Sequence, residues 1–163
     1  MAKKIHKFKN FRASQDGIEL RLDLSNLSDR LNRAQYALDS AVMTSMVPYM
    51  PMQNGNFIDL TRAKSASMAG SGEVYAAVPP AGRFLYEGKV MVDAQTGKGP
   101  MRFMSKYGEE TFRFRKGAKL KATDRPLQYS KHANPKTQSH WFDAAKAADM
   151  DKWENVVKKE IGK

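Results

Sequence analysis

Four sets of side chains in this sequence are of types that catalysis or ligand binding uses: three histidines, a lysine between glycines, a glutamate pair, and arginines alternating with phenylalanines. His6, His132 and His140 match no zinc-ligand spacing and read as surface histidines. Gly97-Lys98-Gly99 lacks the earlier glycine and the following Ser/Thr of a phosphate-binding loop, so it reads as a turn. Glu109 and Glu110 stand between basic strands, where local charge pairing explains them better than acid–base work. No serine sits in a nucleophile motif, and the absence of cysteine excludes thiol catalysis and disulfides. A non-enzymatic chain with no catalytic, cofactor-binding or metal residues is expected.

The fourth set is the most informative. Met101-Arg-Phe-Met-Ser and Thr111-Phe-Arg-Phe-Arg115 both alternate, which predicts a β-hairpin joined across Lys106–Glu110. Phe112 and Phe114 then share one side, and Arg113 and Arg115 the other. Aromatics beside arginines can stack bases or clamp phosphates. The same pattern also describes any sheet with one dry and one wet face. Arg102, Arg113, Arg115 and Lys116 are the candidates for contact with an acidic partner or with DNA phosphates.

The charge distribution points the same way. The chain has 163 residues and a net charge of +11, with 41% hydrophobic and 10% aromatic residues. That is the size of one domain with a real core. Residues 1–12 carry five basic and no acidic side chains, and residues 98–136 carry eleven basic and three acidic ones. The rest is close to neutral. The expected organisation is a basic N-terminal arm at 1–12 and a single domain at 13–163, with a basic hairpin and loop inserted at about 98–136. No apolar run is long enough to span a bilayer, and the basic N-terminus has no apolar stretch of a secretory signal behind it. A soluble protein made inside a cell is expected, with no membrane partner.

The elements that must position these residues follow from periodicity. Ile18, Leu20, Leu22 and Leu24 alternate with polar residues and predict a half-buried strand. Leu27, Leu31, Ala34, Leu38, Ala41 and Val42 then recur at helical spacing, predicting a helix over about 26–47 with Arg30, Arg33 and Asp39 on its wet face. Ser25 or Ser28 can cap it, and Pro48 and Pro51 stop it. Four methionines at 43–52 make an adaptable apolar surface, suited either to core filling or to a neighbouring subunit. A short second helix at about 57–64, strands at 73–78 and 90–92, and a one-turn helix or extended corner at 83–88 follow. Residues 116–139 are expected as a long loop and the C-terminus as helices, with Asp149 capping the last piece. Leu31, Leu38 and Val42 should face a sheet built from 18–24 and 73–78, with Trp141 and Trp153 packing nearby.

Three stretches, taken in order, resemble one family. They are Leu38-Asp-Ser-Ala-Val-Met running into Val47-Pro-Tyr-Met-Pro, then Pro79-Pro-Ala-Gly-Arg-Phe-Leu-Tyr-Glu-Gly-Lys-Val-Met-Val-Asp-Ala-Gln-Thr-Gly97, then Asn134-Pro-Lys-Thr-Gln-Ser-His-Trp-Phe-Asp-Ala-Ala-Lys146 followed by Trp153. Together they are similar to the minor capsid proteins of long-tailed bacteriophages, a group like the neck or tail-completion proteins at the head–tail junction. The resemblance implies an α+β subunit: a long helix packed on a small antiparallel β-sheet, a basic β-hairpin insert and C-terminal helices. It further implies a ring, commonly of six copies, around the channel for genome DNA in the virion neck. Its partners would be other copies of the chain, neighbouring neck and portal-side proteins and the tail terminator, with non-specific contact to DNA left open. A nucleic-acid-binding accessory or packaging protein is the alternative. Met46, Met50 and Met52, with Arg83, Phe84 and Tyr86 of the proline-bounded corner, are the candidate subunit-interface residues, because such side chains are enriched where protein surfaces meet.

Overall fold

The computed structural model describes residues 6–52, 55–77, 82–104, 108 and 110–162. The expectations that rest on Val78, Pro79, Pro80 and Ala81, on Asn54, and on Lys106, Tyr107 and Glu109 lie outside the described residues.

The fold is α+β: a long helix, small antiparallel sheets and a C-terminal helix. Phe11–Gln15 (β1) and Ile18–Leu22 (β2) form a hairpin. It turns through Asp16 and Gly17, both at positive φ, 51° and 82°. That is the conformation Asp-Gly favours in a two-residue hairpin turn. Ser25–Met46 (α1) follows and passes into a 3-10 turn at Val47–Tyr49. Asn56–Ala66 (α2) and the short Gly82–Glu87 (α3) lead to Lys89–Asp93 (β3). Met101–Met104 (β4) and Glu110–Arg113 (β5) make the expected basic hairpin, and Leu120–Pro126 (β6) returns to pair antiparallel with β3. Trp141–Ile161 (α4) closes the chain.

Several local expectations change. The 116–139 segment is not all loop, because β6 occupies Leu120–Pro126, and the Leu127 N–H still donates to the Gly88 carbonyl at 2.7 Å just beyond it. Residues 73–77 form no strand. The C-terminal helices are one continuous helix. Trp141, Ala145, Asp149 and Trp153 step by four residues and keep one face inward, so Asp149 sits mid-helix instead of capping a second piece. Its carboxylate accepts from Lys152 instead. At the start of α1 the Asp23 carboxylate accepts the Ser25 N–H at 2.9 Å, and this bond holds its pKa below the ordinary value. Ser28 instead donates to the Leu24 carbonyl and accepts the Phe8 N–H. The chain from His6 to Phe8 thus runs back along α1, with the His6 N–H on Asn32 at 3.1 Å, while residues 1–5 of the basic arm lie outside the described residues.

The inward face of α1 lies chiefly against α4, not against a sheet at 18–24 and 73–78. The helices are antiparallel: Arg30 donates to the Ile161 carbonyl at one end, and the Trp153 indole donates to Ser45 at 3.1 Å near the other. Val42, Met43, Met46, Met50, Ile58, Trp141, Ala145 and Trp153 make up the buried core. Leu31 and Leu38 are half-buried. Asp39 is not on the wet face. It is buried, and its carboxylate accepts the N–H groups of Gly70 and Gly72 at 2.7 and 3.1 Å and the Gln35 amide at 2.7 Å. The loop after α2 is thereby tied to α1, and a buried carboxylate is fully bonded.

Met46 is wholly buried between the two long helices. Met46→Ala should cost about 2–5 kcal/mol, read as a lower denaturant midpoint with an unchanged slope.

Candidate subunit interface

The three stretches that carry the resemblance meet at Trp141. Its indole N–H donates to the Ala76 carbonyl at 2.7 Å, while the Tyr86 and Phe57 rings meet it edge-on at 4.9 and 5.9 Å. The His140 N–H donates to the Tyr86 carbonyl at 2.9 Å, fixing α3 against the start of α4. Just upstream, the Asn134 side-chain amide donates to the carbonyls of Val47 and Met50 at 3.1 and 2.9 Å. The Thr137 hydroxyl bridges Met50 and Asn134, and the Gln138 N–H reaches the Tyr49 carbonyl. These bonds tie the carbonyls of the 3-10 turn and of Met50 to the segment that leads into α4. Gly88 closes the same region from the sheet side. At φ 68° it lies where a Cβ would come within 2.9 Å of Ser139 Cβ, so glycine is needed both for its conformation and for space.

This geometry decides the fate of each interface candidate. Met46 and Met50 are entirely buried in the subunit's own core, so neither offers surface to a neighbour. The reason is the 3-10 turn, which folds Met50 back under α4. Met52, just beyond it, is 39% exposed. Tyr86 is half-buried against Trp141, and desolvation, aided by the carboxylates of Asp143 and Glu87, raises the pKa of its hydroxyl. Phe84 is half-buried and Arg83 exposed; with Tyr75 and Tyr86 they line one cleft. The surface that remains from the six candidates is Met52, Arg83 and the open side of Phe84.

The basic hairpin behaves differently from its pattern. Met101 pairs with Arg113, Arg102 with Phe112, and Phe103 with Thr111. Phe103 and Phe112 therefore lie on opposite faces, Phe112 beside Arg102 and Phe103 on the side of Arg113, and at 45% and 55% exposed they leave neither face dry. Arg102, Arg113 and Lys116 are exposed. Arg115 is already engaged: its Nε meets Asp93 Oδ2 at 2.5 Å, and an Nη donates to Gln95. That corrects its standing as a cation held for an outside anion. It works instead as a latch between the end of β5 and the turn after β3. The Arg115 bond, with the Gln95 N–H, holds the Asp93 carboxyl at a pKa of about 2.

The apolar face of β1–β2 belongs on the interface list although sequence reasoning read β2 as half-buried. Ile18 is 74% exposed, Leu20 57%, Phe11 52% and Leu22 48%. Asp16-Gly17 between two alternating runs is the signal that marks a projecting hairpin. Among the described residues, no group of three His, Asp or Glu side chains is placed to hold a metal ion, and no helix is long and apolar enough to cross a membrane.

The sign of the Asp93 shift sets a pH test. A folded pKa near 2, below the 3.8 of an unstructured aspartate, gives stability that is complete above about pH 4 and is lost as pH falls toward 2. Asp93→Asn should lower the melting temperature at neutral pH and flatten its acid dependence between those limits. Trp141→Phe, which leaves the Ala76 carbonyl without its donor, should cost about 1–3 kcal/mol in chemical denaturation. Comparison of this chain with family models, curated proteins and solved structures returns no match.

Proposed function

We propose that this protein is a non-enzymatic structural subunit of a phage virion, forming a ring at the neck that joins the DNA-filled head to the tail. The observation that carries this reading is the division of the chain into a helical body with a closed core and two hairpins with uncovered apolar residues. An isolated two-stranded hairpin is marginal in water, and its strand edges stay open. A subunit built this way gains stability when each projection finds a neighbour. A contact between unlike surfaces of identical copies generates a closed ring when the rotation allows.

The family resemblance supports the same reading, since its three stretches form one bonded junction around Trp141 and not three separate patches. The latched basic hairpin, carrying Arg102, Arg113 and Lys116, suits an acidic neighbour or the phosphates of DNA in the channel.

Deleting the gene from a phage that carries it should leave DNA-filled heads and complete tails that do not join, seen directly by electron microscopy of lysates. Loss of heads, or heads without DNA, would contradict the reading and place the protein among scaffolding or packaging factors.

A further inference from the structure

The β1–β2 hairpin has two unlike faces. Pairing of Phe11 with Leu22, Ala13 with Leu20 and Gln15 with Ile18 puts the apolar side chains on one side. Arg12, Ser14, Glu19 and Arg21 take the other, where Arg21 meets Glu19 at 2.7 Å. Charge also divides along its length: Asp16 and Glu19 lie toward the tip, Arg12 and Arg21 toward the open end. The tip is therefore apolar and acidic.

A surface of complementary character lies on the body. Leu38 and Val42 of α1, with Met150 and Trp153 of α4, line an open apolar groove of about 430 Å³. Lys146 and Lys158 stand at its rim, the latter with Glu154 at 3.0 Å. The chain's own hairpin does not reach it. Asn10 holds the Leu24 N–H at 2.8 Å, fixing the hairpin's base at the start of α1. Leu38 and Val42 lie roughly 21–27 Å farther along the helix, whereas a five-residue strand spans only about 17 Å. The β4–β5 hairpin suits the groove less, because Arg102 and Arg113 beside its apolar residues would face the rim lysines.

We propose that the apolar face of one subunit's β1–β2 hairpin docks in the α1–α4 groove of a second copy, Ile18 and Leu20 entering between Leu38 and Trp153, with Asp16 at the hairpin tip beside Lys146. The contact joins unlike surfaces, so it rests on the ring reading and supplies that ring's repeating bond. Ile18, the most exposed large apolar side chain of the hairpin, becomes the anchor.

The absence of cysteine from the chain makes this testable by cross-linking. Full-length Ile18→Cys and Met150→Cys proteins, differing in mass by an added tag, are mixed and mildly oxidised. Both positions are exposed, and unchanged melting temperatures of the reduced proteins establish that each variant folds. The disulfide-linked heterodimer should exceed random pairing several-fold. Adding Lys146→Glu to the groove partner should lower its yield by about two- to fivefold, the scale of a rim charge pair, and Asp16→Lys on the hairpin partner should restore it. Heterodimer at or below the random level would overturn the docking, whether the groove then takes another protein or none. Ring formation on tail-lacking particles, measured separately with the unaltered chain, distinguishes that failure from failure of the ring itself.

Discussion

The Trp141 indole N–H reaches the Ala76 carbonyl across 65 residues of chain, and the bond is part-buried beside the Tyr86 and Phe57 rings. Trp141 itself is wholly buried, so its indole N–H has no water to turn to, and losing the bond leaves that donor unsatisfied. Around it, Asn134 and Thr137 hold the 3-10 turn after α1, and His140 holds α3. The register of α4 against α1 follows, because the chain enters α4 at a fixed place. Trp153, three helical turns on, then meets Ser45. The sheet is positioned through the same junction, since Gly88 between α3 and β3 packs on Ser139.

What lies beyond this junction is held differently. The β3–β6 pair is short and bulged between Lys89 and Met91, with the Thr123 hydroxyl donating to the Val90 carbonyl at the irregularity. From it the β4–β5 hairpin extends, its base set by Asp93 and Arg115. Among the described residues, the β1–β2 hairpin is anchored by the Asn10 bond and by the contacts of His6 and Phe8 with α1. Core packing stabilises the body, whereas these projections depend on local bonds and on whatever they meet. That difference matches what an assembly subunit requires: a rigid centre that sets geometry, and extensions free to find a neighbour.

Much of this was legible in the sequence. The helical spacing from Leu27 to Val42 places α1 to within one residue at each end, because a strong amphipathic period leaves little choice. The basic hairpin was equally plain. Strand β6 was not, since Leu120, Ala122 and Asp124 give weak alternation and Pro126 reads as a breaker; only pairing with β3 makes it a strand. Asp39 looked solvent-facing because its partners, the N–H groups of Gly70 and Gly72, are backbone and leave no mark in a sequence. Met46 and Met50 were ambiguous in kind, as methionine suits cores and contact surfaces alike. The candidate site was the least legible part, for a strand with one apolar face looks the same whether that face meets its own core or another molecule.

The copy number of the protein on a particle tests the central claim most directly. Tail-lacking, DNA-filled heads are incubated with excess purified chain, separated from free protein, and the bound copies per particle are counted by quantitative mass spectrometry against the major capsid protein. A single ring predicts a small fixed number, six by the family resemblance, that saturates and does not change with the length of packaged DNA. Binding that scales with capsid area or DNA length, or no binding at all, would contradict it.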